Sequence, residues 1–312
     1  MTSVGWGKVI LLGEHAVVYG YPALAAALDR GVTIDAVGTP AGGPLRLDIP
    51  AWDLRVSASS RDEEHPVSRA LAAIADELAI GRPAVTLLGD AQILHSAGLG
   101  SSAAMAVAIA RALLVWSKRP QDVPAVLAAA SASEAVMHGK ASGIDATLAT
   151  HGGIGVYRKT AGLRPISAKL RVLVAPSGVA RSTAAMVDRV AQATLSGATK
   201  AASSPITNDD PRLVELGNLT DTGTTSLLRG DLAGLGAAMN RAHEVLAELG
   251  VSTAQLDSLC EAARASGAHG AKLTGAGGGG AVIAIAPRDK ESAILAEWKN
   301  AGVTGFVSTV GK

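Results

Sequence analysis

Cysteine is almost missing from this sequence. Its 312 residues include one cysteine, Cys260, which excludes an intrachain disulfide and a thiolate metal cluster. Cys260 falls on the apolar face of a predicted helix, so we interpret it as a small core residue and not as a nucleophile. The histidines outside the motifs described below have no metal-ligand spacing such as HExxH. Because a lone cysteine fits a reducing compartment and no signal-peptide pattern precedes the strand that begins near Val4, we expect a cytoplasmic protein.

An excess of charge of one sign is also missing. The formal net charge is +1, with no basic run and no acidic tail. This balance argues against a nucleic-acid partner and favours small-molecule chemistry. Long hydrophobic runs are missing too, since the longest apolar helix, predicted over 103–116, contains Arg111 and is shorter than the roughly 20 residues that span a bilayer core. We therefore expect no membrane partner.

Aromatic residues make up only 3% of the chain, so small residues supply most of its hydrophobic content. Short alternating or β-branched segments predict strands at 8–12, 32–37, 45–49, 54–58, 84–88, 154–157, 171–174 and 281–286. Helical periodicity predicts helices at 66–79, 101–117, 123–137, 211–228, 232–249, 254–265 and 289–300. The polar stretch 195–207 predicts a loop. Strands and helices in both halves predict an α+β protein with two domains, residues 1–165 and 166–312.

The segment LHSAGLGSSAA, residues 94–104, joins an apolar strand to an alanine-rich helix. Gly98 and Gly100 let the backbone approach an anion, and Ser101 and Ser102 open a helix whose first amides lack intrahelical acceptors. Such a helix N-terminus attracts phosphate. An ordinary serine-capped buried helix is the alternative.

The segment GKVILLGEHAVVYG, residues 7–20, carries a lysine at the start of its predicted strand and a Gly-Glu-His corner at its end. Lys8, Glu14 and His15 are candidate functional residues. Taken one at a time, they have simpler interpretations: a lysine that reaches solvent from a strand end, a turn carboxylate and a hydrogen-bonded core histidine.

The segment KLTGAGGGGA, residues 272–281, has five glycines in ten positions before an apolar strand. Each glycine raises the entropy cost of folding, so this density indicates that bare backbone is needed there. Close approach to a ligand and close packing on the phosphate loop are the two physical reasons, and a flexible linker is the alternative.

Two carboxylates fall within residues 133–153. Glu134 lies late in a predicted helix, and Asp145 follows a glycine-containing turn. Asp145 is a candidate to take a hydroxyl proton, and capping of the next short helix is its alternative role.

Taken together and in this order, GKVILLGEHAVVYG, AGLGSSAA and KLTGAGGGGA resemble the motifs of a superfamily of small-molecule kinases. This superfamily includes the galactokinases, homoserine kinases, mevalonate kinases and phosphomevalonate kinases. GEHAVVYG, SGIDATLATHGG and MNRAHEVLAELGVS are most similar to the mevalonate kinases. The resemblance runs from about residue 5 to residue 287 and is weakest over 38–83 and after Leu195.

The resemblance implies an α+β fold with an N-terminal domain like the second domain of ribosomal protein S5. A ferredoxin-like C-terminal domain would follow, with ATP in the cleft between the two. The phosphates of ATP would be wrapped by Gly98, Leu99, Gly100 and Ser101, and this turn would be backed by Gly277, Gly278 and Gly279. Ser102 and Glu134 would hold Mg²⁺, which suits hard oxygen ligands.

The resemblance also implies roles on the acceptor side. Asp145 would be the catalytic carboxylate, as a general base or as an electrostatic anchor, and Lys8 would lie beside it. Glu14, His15 and Thr183 would line the substrate. The implied reaction is ATP-dependent phosphorylation of the primary hydroxyl of (R)-mevalonate to 5-phosphomevalonate, a step of isoprenoid synthesis.

Other interpretations stay open at this point. Phosphomevalonate, a sugar or another hydroxy acid as acceptor would keep the fold and the reaction type, although Lys8, Lys140 and Arg181 are few cations for a phosphorylated acceptor. A nucleotide-binding sensor is disfavoured because Lys8 and Asp145 are both present. Apolar helix surface in the C-terminal half leaves a homodimer open. Three departures from the family pattern concern specificity: His95 with Ser96, Lys140 with Ala141, and Met105.

Overall fold

The computed structural model describes residues 2–39, 43–58, 64–138, 143–179, 183–195 and 209–311. The chain forms two compact units. The first unit comprises Met1–Gly7, Asp29–His95 and Gly100–Gly152, and the second comprises Lys8–Leu28, Ser96–Leu99 and Gly153–Lys312. Neither unit is one continuous stretch, and the predicted domain boundary after residue 165 stays a prediction. Among the described helices, none is both long enough and apolar enough to cross a membrane.

Strands of the first unit pair around β5 (Val85–Ala91). The second half of β2 (Ala23–Gly38) is antiparallel to β5, with Ile34 opposite Gly89. On its other side β5 is parallel to β3 (Arg46–Ile49), which forms an antiparallel pair with β4 (Leu54–Ser57).

Helices of the first unit are α1 (Pro66–Glu77), α2 (Ser101–Trp116), α3 (Val123–His138) and α4 (Ile144–His151). α2 packs against the other three. Its small and apolar side chains are buried on nearly every face, because alanines let neighbouring helices approach closely. The charged residue of this helix, Arg111, is half-buried and donates hydrogen bonds to the carbonyls of Val4 (2.5 Å) and Thr150 (2.8 Å).

The second unit contains an antiparallel sheet in the order β11, β8, β10, β9. These strands are β8 (Lys169–Pro176), β9 (Gly270–Thr274), β10 (Ala281–Ile285) and β11 (Phe306–Gly311). Val174 of β8 lies opposite Ile283 of β10 and Phe306 of β11. The first half of β2 pairs with β6 (Ile154–Arg158), which pairs with β7 (Gly162–Ile166).

Helices of the second unit are α5 (Thr183–Leu195), α6 (Pro211–Leu228), α7 (Leu232–Glu248), α8 (Ala254–Ala265) and α9 (Glu291–Asn300). α7 and α8 pack on β9, the strand that leads into the glycine-rich segment. Asp210, Asp231 and Thr253 cap α6, α7 and α8 by accepting hydrogen bonds from backbone amides in the first helical turn.

The predicted α+β class is confirmed, and the predicted helices and strands are present. Most of their ends are shifted by a few residues, but β2 begins at Ala23, nine positions before the predicted strand 32–37. Sequence reasoning missed β7, β9, β11 and α5. The strand expected from near Val4 is β1 (Ser3–Leu12), but its narrower predicted range 8–12 was wrong, since Lys8 is an interior residue and not the first. Gly5 fits within this strand because a Cβ there would lie within 3.0 Å of the Ala104 carbonyl group. Residues 196–207 of the predicted loop lie outside the described residues.

Candidate active site

The glycine turn before α2 has the backbone predicted for it. Gly98 and Gly100 have φ of 76° and 73°, which favour glycine, and α2 begins at Ser101. The first intrahelical bond runs from the Ala104 amide to the Gly100 carbonyl (2.9 Å), so the amides of Ser101, Ser102 and Ala103 precede it. The N-cap residue of α2 is Gly100, which supplies no side-chain cap, so the alternative of a serine-capped helix is wrong. Amides without a side-chain cap suit an anion.

Within the second unit, the glycine turn is attached to β1. The backbone amide of Lys8 donates a hydrogen bond to the carbonyl of buried Leu99 (2.9 Å). The Lys8 side chain is only 4% exposed, so the interpretation of Lys8 as a lysine reaching solvent is wrong. Lys8 and the glycine turn, which the sequence separates by some ninety positions, therefore lie together.

The Gly-Glu-His corner that follows β1 has a strained backbone. His15 has φ 60° and ψ −49°, and the Ala16 amide donates to the Glu14 carbonyl at 2.6 Å. These features define a γ-turn of the rare, high-energy kind, centred on His15. Both Glu14 and His15 are buried. Such strain persists only where the surrounding structure enforces it, and it marks functional sites.

Glu14 forms a fully buried ion pair. The Nζ atom of Lys272 donates to Glu14 Oε1 and, at 2.6 Å, to the carbonyl of Leu273. Burial raises the pKa of the Glu14 carboxyl, an effect that Lys272 opposes, and burial lowers the pKa of the Lys272 ammonium. Glu14 Oε2 has no hydrogen-bond partner among the described residues. Glu14 is thus more than the turn carboxylate of the simpler interpretation.

The glycine-rich segment has several left-handed residues. Gly275, Gly277, Gly278, Gly279 and Gly280 all have φ between 70° and 131°. A Cβ at Gly277 would lie within 3.0 Å of the Val251 carbonyl, and one at Gly278 would overlap Met186. The carbonyl of Ala276 lies 3.0 Å from His15 Nε2. Close packing therefore explains part of the glycine content and contradicts a flexible linker, whereas backing of the phosphate turn by Gly277, Gly278 and Gly279 stays a prediction.

The first unit carries the other predicted side chains. Ser102 lies in the first turn of α2, Glu134 is buried late in α3, and half-buried Asp145 lies in the first turn of α4. Gly143, with φ 82°, is the N-cap residue of α4, so Asp145 is not the cap. α2 packs against both α3 and α4, which brings the three elements together.

A Mg²⁺ ion fits the chemistry of Ser102 and Glu134. A hydroxyl and a carboxylate are hard oxygen donors, and Mg²⁺ typically takes one or two protein ligands and completes its shell with phosphate and water. In the described parts of the chain no group of three or more His, Cys, Asp or Glu side chains could hold a metal. The ion would therefore depend on phosphate oxygens as well.

The remaining predicted residues fall in three places. Thr183 is exposed at the start of α5, and the structure does not place it with the corner. Lys140, Ala141 and Arg181 lie outside the described residues. His95 contacts the ring of Trp52 at a centroid distance of 5.3 Å, and Ser96 has φ 60°, so this chain enters the glycine turn through a strained serine.

Cys260 is buried, and burial raises the pKa of its thiol to about 12. Its Sγ lies 3.9 Å from Nδ1 of His243, whose Nε2 lies 3.0 Å from Asp257 Oδ1. A thiol that stays protonated is no nucleophile, so the interpretation of Cys260 as a core residue is supported.

Sequence reasoning missed Lys272 and Thr274 as side chains of the site. The Thr274 hydroxyl accepts a hydrogen bond from the Ile10 amide (2.9 Å) and donates one to the Ile10 carbonyl (3.0 Å). The available signal was a lysine two positions before a threonine, directly ahead of the glycines. Alternate positions share one face of a strand, so the two side chains point the same way.

Two family models match the chain. GHMP kinases N terminal domain matches residues 65–153, and GHMP kinases C terminal matches residues 224–304. The mevalonate kinase of Thermococcus sibiricus is 32% identical over 98% of this chain and 94% of its own length. That of Methanothermobacter thermautotrophicus is 34% identical over 94% of this chain and 93% of its own length.

A solved structure gives the same result. L. major mevalonate kinase, crystallised in complex with R-mevalonate, superposes with a TM-score of 0.83 and 28% identity over 100% of this chain and 96% of that chain. The predicted two-domain kinase fold is confirmed. By the identity and coverage of these relatives, the chain belongs to the mevalonate kinase family of the GHMP kinases.

Proposed function

We propose that this chain transfers the γ-phosphoryl group of ATP to the primary hydroxyl of (R)-mevalonate. The observation that carries the proposal is the hydrogen bond between the Lys8 amide and the Leu99 carbonyl. It joins a turn suited to phosphate to a buried cation, on the strand that leads into the corner carrying Glu14 and His15. The family relationship adds the acceptor, since R-mevalonate is bound in the L. major relative.

The reaction needs positioning and charge neutralisation more than covalent chemistry. The hydroxyl oxygen forms a bond to the γ-phosphorus, and the bond from that phosphorus to the bridging oxygen breaks, so that ADP leaves with the electron pair. The hydroxyl proton passes to the Asp145 carboxylate and then to solvent. The Lys8 ammonium stabilises negative charge on the reacting oxygen.

Glu14 and His15 orient the acceptor in this proposal. Glu14 Oε2 supports that role, because a buried carboxylate oxygen without a partner among the described residues is an acceptor left for a ligand hydroxyl. Ser102 and Glu134 would hold Mg²⁺, which when bound neutralises charge on the ATP phosphates. The amides of Ser101 and Ser102, at the start of α2, would donate to those phosphates.

The test is ADP release with Mg·ATP against mevalonate, 5-phosphomevalonate, galactose and homoserine. Wild type should turn over with mevalonate, and Asp145→Asn should lower kcat by about 10²–10⁴-fold, the usual contribution of a general base. Asp289→Asn is a matched control, because Asp289 is exposed and paired only weakly with Lys290 (3.7 Å). Turnover confined to another acceptor would refute mevalonate as the substrate, and full activity of Asp145→Asn would refute the role of that carboxylate.

The proposal also includes a Mg²⁺ requirement, a cytoplasmic location, a homodimer and a contact of Thr183 with the acceptor. Mg²⁺ dependence can be measured in the same assay, where Glu134→Gln should raise the half-saturating Mg²⁺ concentration about tenfold or more.

A further inference from the structure

Three contacts attach the end of β1 and the corner after it to the segment 272–276. The Thr274 hydroxyl bonds both the amide and the carbonyl of Ile10. The Lys272 ammonium pairs with Glu14, and the Ala276 carbonyl lies at hydrogen-bond distance from the His15 ring. All three contacts lie within the second unit, and they join residues of 10–15 to residues of 272–276.

The corner needs such attachments because its backbone is unfavourable by itself. A non-glycine residue in this conformation is strained and destabilising by itself. The strained residue, His15, is held through its own ring by Ala276, and its neighbour Glu14 is held by Lys272. The γ-turn therefore lies between two tethers that both originate from the same strand and the glycines after it.

Stability alone gives no reason for a lysine at position 272. A fully buried ion pair contributes little net stability, because desolvation of both charges offsets their attraction, and an apolar pair of similar volume would serve as well. Lys272 is also fixed to its own strand through the Leu273 carbonyl. One end of the ion pair is therefore rigid, and it determines the position of the Glu14 carboxylate.

We propose that Lys272 is a positioning residue of the phosphoryl-transfer site, which fixes the Glu14 carboxylate and thereby the γ-turn that presents His15 to the acceptor. This inference rests on the function proposed above and adds a residue to it. Lys272 acts through Glu14, so its effect on the reaction must vanish when Glu14 no longer carries a charge.

A double-mutant cycle tests this dependence. Lys272→Met in the wild-type background should lower kcat/KM for mevalonate about 100-fold, the cost of a misplacement of about 1 Å. In a Glu14→Gln background, the same change should alter kcat/KM by less than about threefold, because the interacting partner is gone. The KM for mevalonate should rise while the KM for ATP stays within about twofold. Equal fold-changes in the two backgrounds, or a loss of kcat with both KM values unchanged, would overturn the proposal.

Two further variants separate positioning from folding. Arg171→Met is the matched control, because it also removes the cation of an ion pair in the second unit. Arg171 on β8 donates two hydrogen bonds to the carboxylate of Glu291 on α9 (2.7 and 2.6 Å). It should lower the melting temperature and leave both KM values unchanged, and a mevalonate KM raised as in Lys272→Met would overturn the proposal. If Lys272→Met does not fold, Lys272→Arg, which keeps the charge and moves the donor, enters the same cycle with the same criteria. A wild type inactive on mevalonate would overturn the function proposed above, and this outcome is distinct from equal fold-changes in an active enzyme.

Discussion

Replacing Thr274 by valine should weaken the attachment of β1 to β9. Valine has nearly the same shape as threonine, so the change removes the hydroxyl with little effect on packing. The lost hydroxyl accepts from the Ile10 amide at 2.9 Å and donates to the Ile10 carbonyl at 3.0 Å, and both residues are buried. An unsatisfied buried group costs about 1–3 kcal/mol, so the two Ile10 groups together give a loss of about 2–6 kcal/mol.

Thr274→Ser is the matched comparison, because serine keeps the hydroxyl and removes one methyl group. Loss of that buried methyl should cost about 1 kcal/mol. Urea unfolding of the two variants and wild type measures these losses, and amide hydrogen exchange at Ile10 locates them. We expect faster exchange of the Ile10 amide in Thr274→Val than in Thr274→Ser, by at least about fivefold for each additional 1 kcal/mol.

A valine variant as stable as the serine variant would refute this role of the Thr274 hydroxyl. Unchanged exchange at Ile10 together with a large loss of stability would refute it too. That result would mean that the hydroxyl acts elsewhere and that the Ile10 amide has another acceptor. Both measurements are independent of substrate, so they test the attachment of β1 to β9 alone.

Three other changes have defined outcomes. Gly277→Ala should destabilise the protein more than Gly302→Ala, because both glycines have positive φ (77° and 80°) but only a Cβ at Gly277 meets backbone within 3.0 Å; comparison of urea midpoints tests this. Arg171 holds the pKa of Glu291 below its usual 4.5, so this carboxylate stabilises the fold fully above that value and loses its effect as pH falls through the lowered pKa. Glu291→Gln should therefore flatten the acid limb of unfolding free energy against pH. Cys260 should resist alkylation by iodoacetamide at neutral pH and react once urea unfolds the chain, because it is buried with a pKa of about 12.

The sequence predicted features whose causes are local. The start of α2 at Ser101 follows from Gly98, Gly100 and a run of small residues, and the structure confirms it. The positions of Glu134 near the end of α3 and of Asp145 after a glycine turn were likewise predicted from neighbouring residues. In each case the residues that allowed the prediction lie within about one helical turn of the predicted feature in the sequence.

The missed features depend on residues far apart in the chain. Lys272 and Glu14 are separated by 258 positions, and nothing near either residue indicates its partner. β9 was missed because a lysine and the following glycines obscure a five-residue strand whose residues are all buried. Lys8 was placed at the start of its strand, whereas β1 begins at Ser3 and its Gly5 accommodates the backbone of α2.

The γ-turn at His15 explains why the glycine-rich segment lies where it does. A backbone that costs about 1–3 kcal/mol requires surroundings that do not yield, and flexible side chains alone make poor anchors. Here one anchor is a backbone carbonyl, that of Ala276. The next residue, Gly277, fits only because it has no Cβ, since a Cβ there would collide with the Val251 carbonyl. The left-handed glycines thus let two backbones pack tightly, and this tight packing makes Ala276 a fixed acceptor for the His15 ring. Glycine content that lowers stability on its own thereby supports a strained corner elsewhere in the chain.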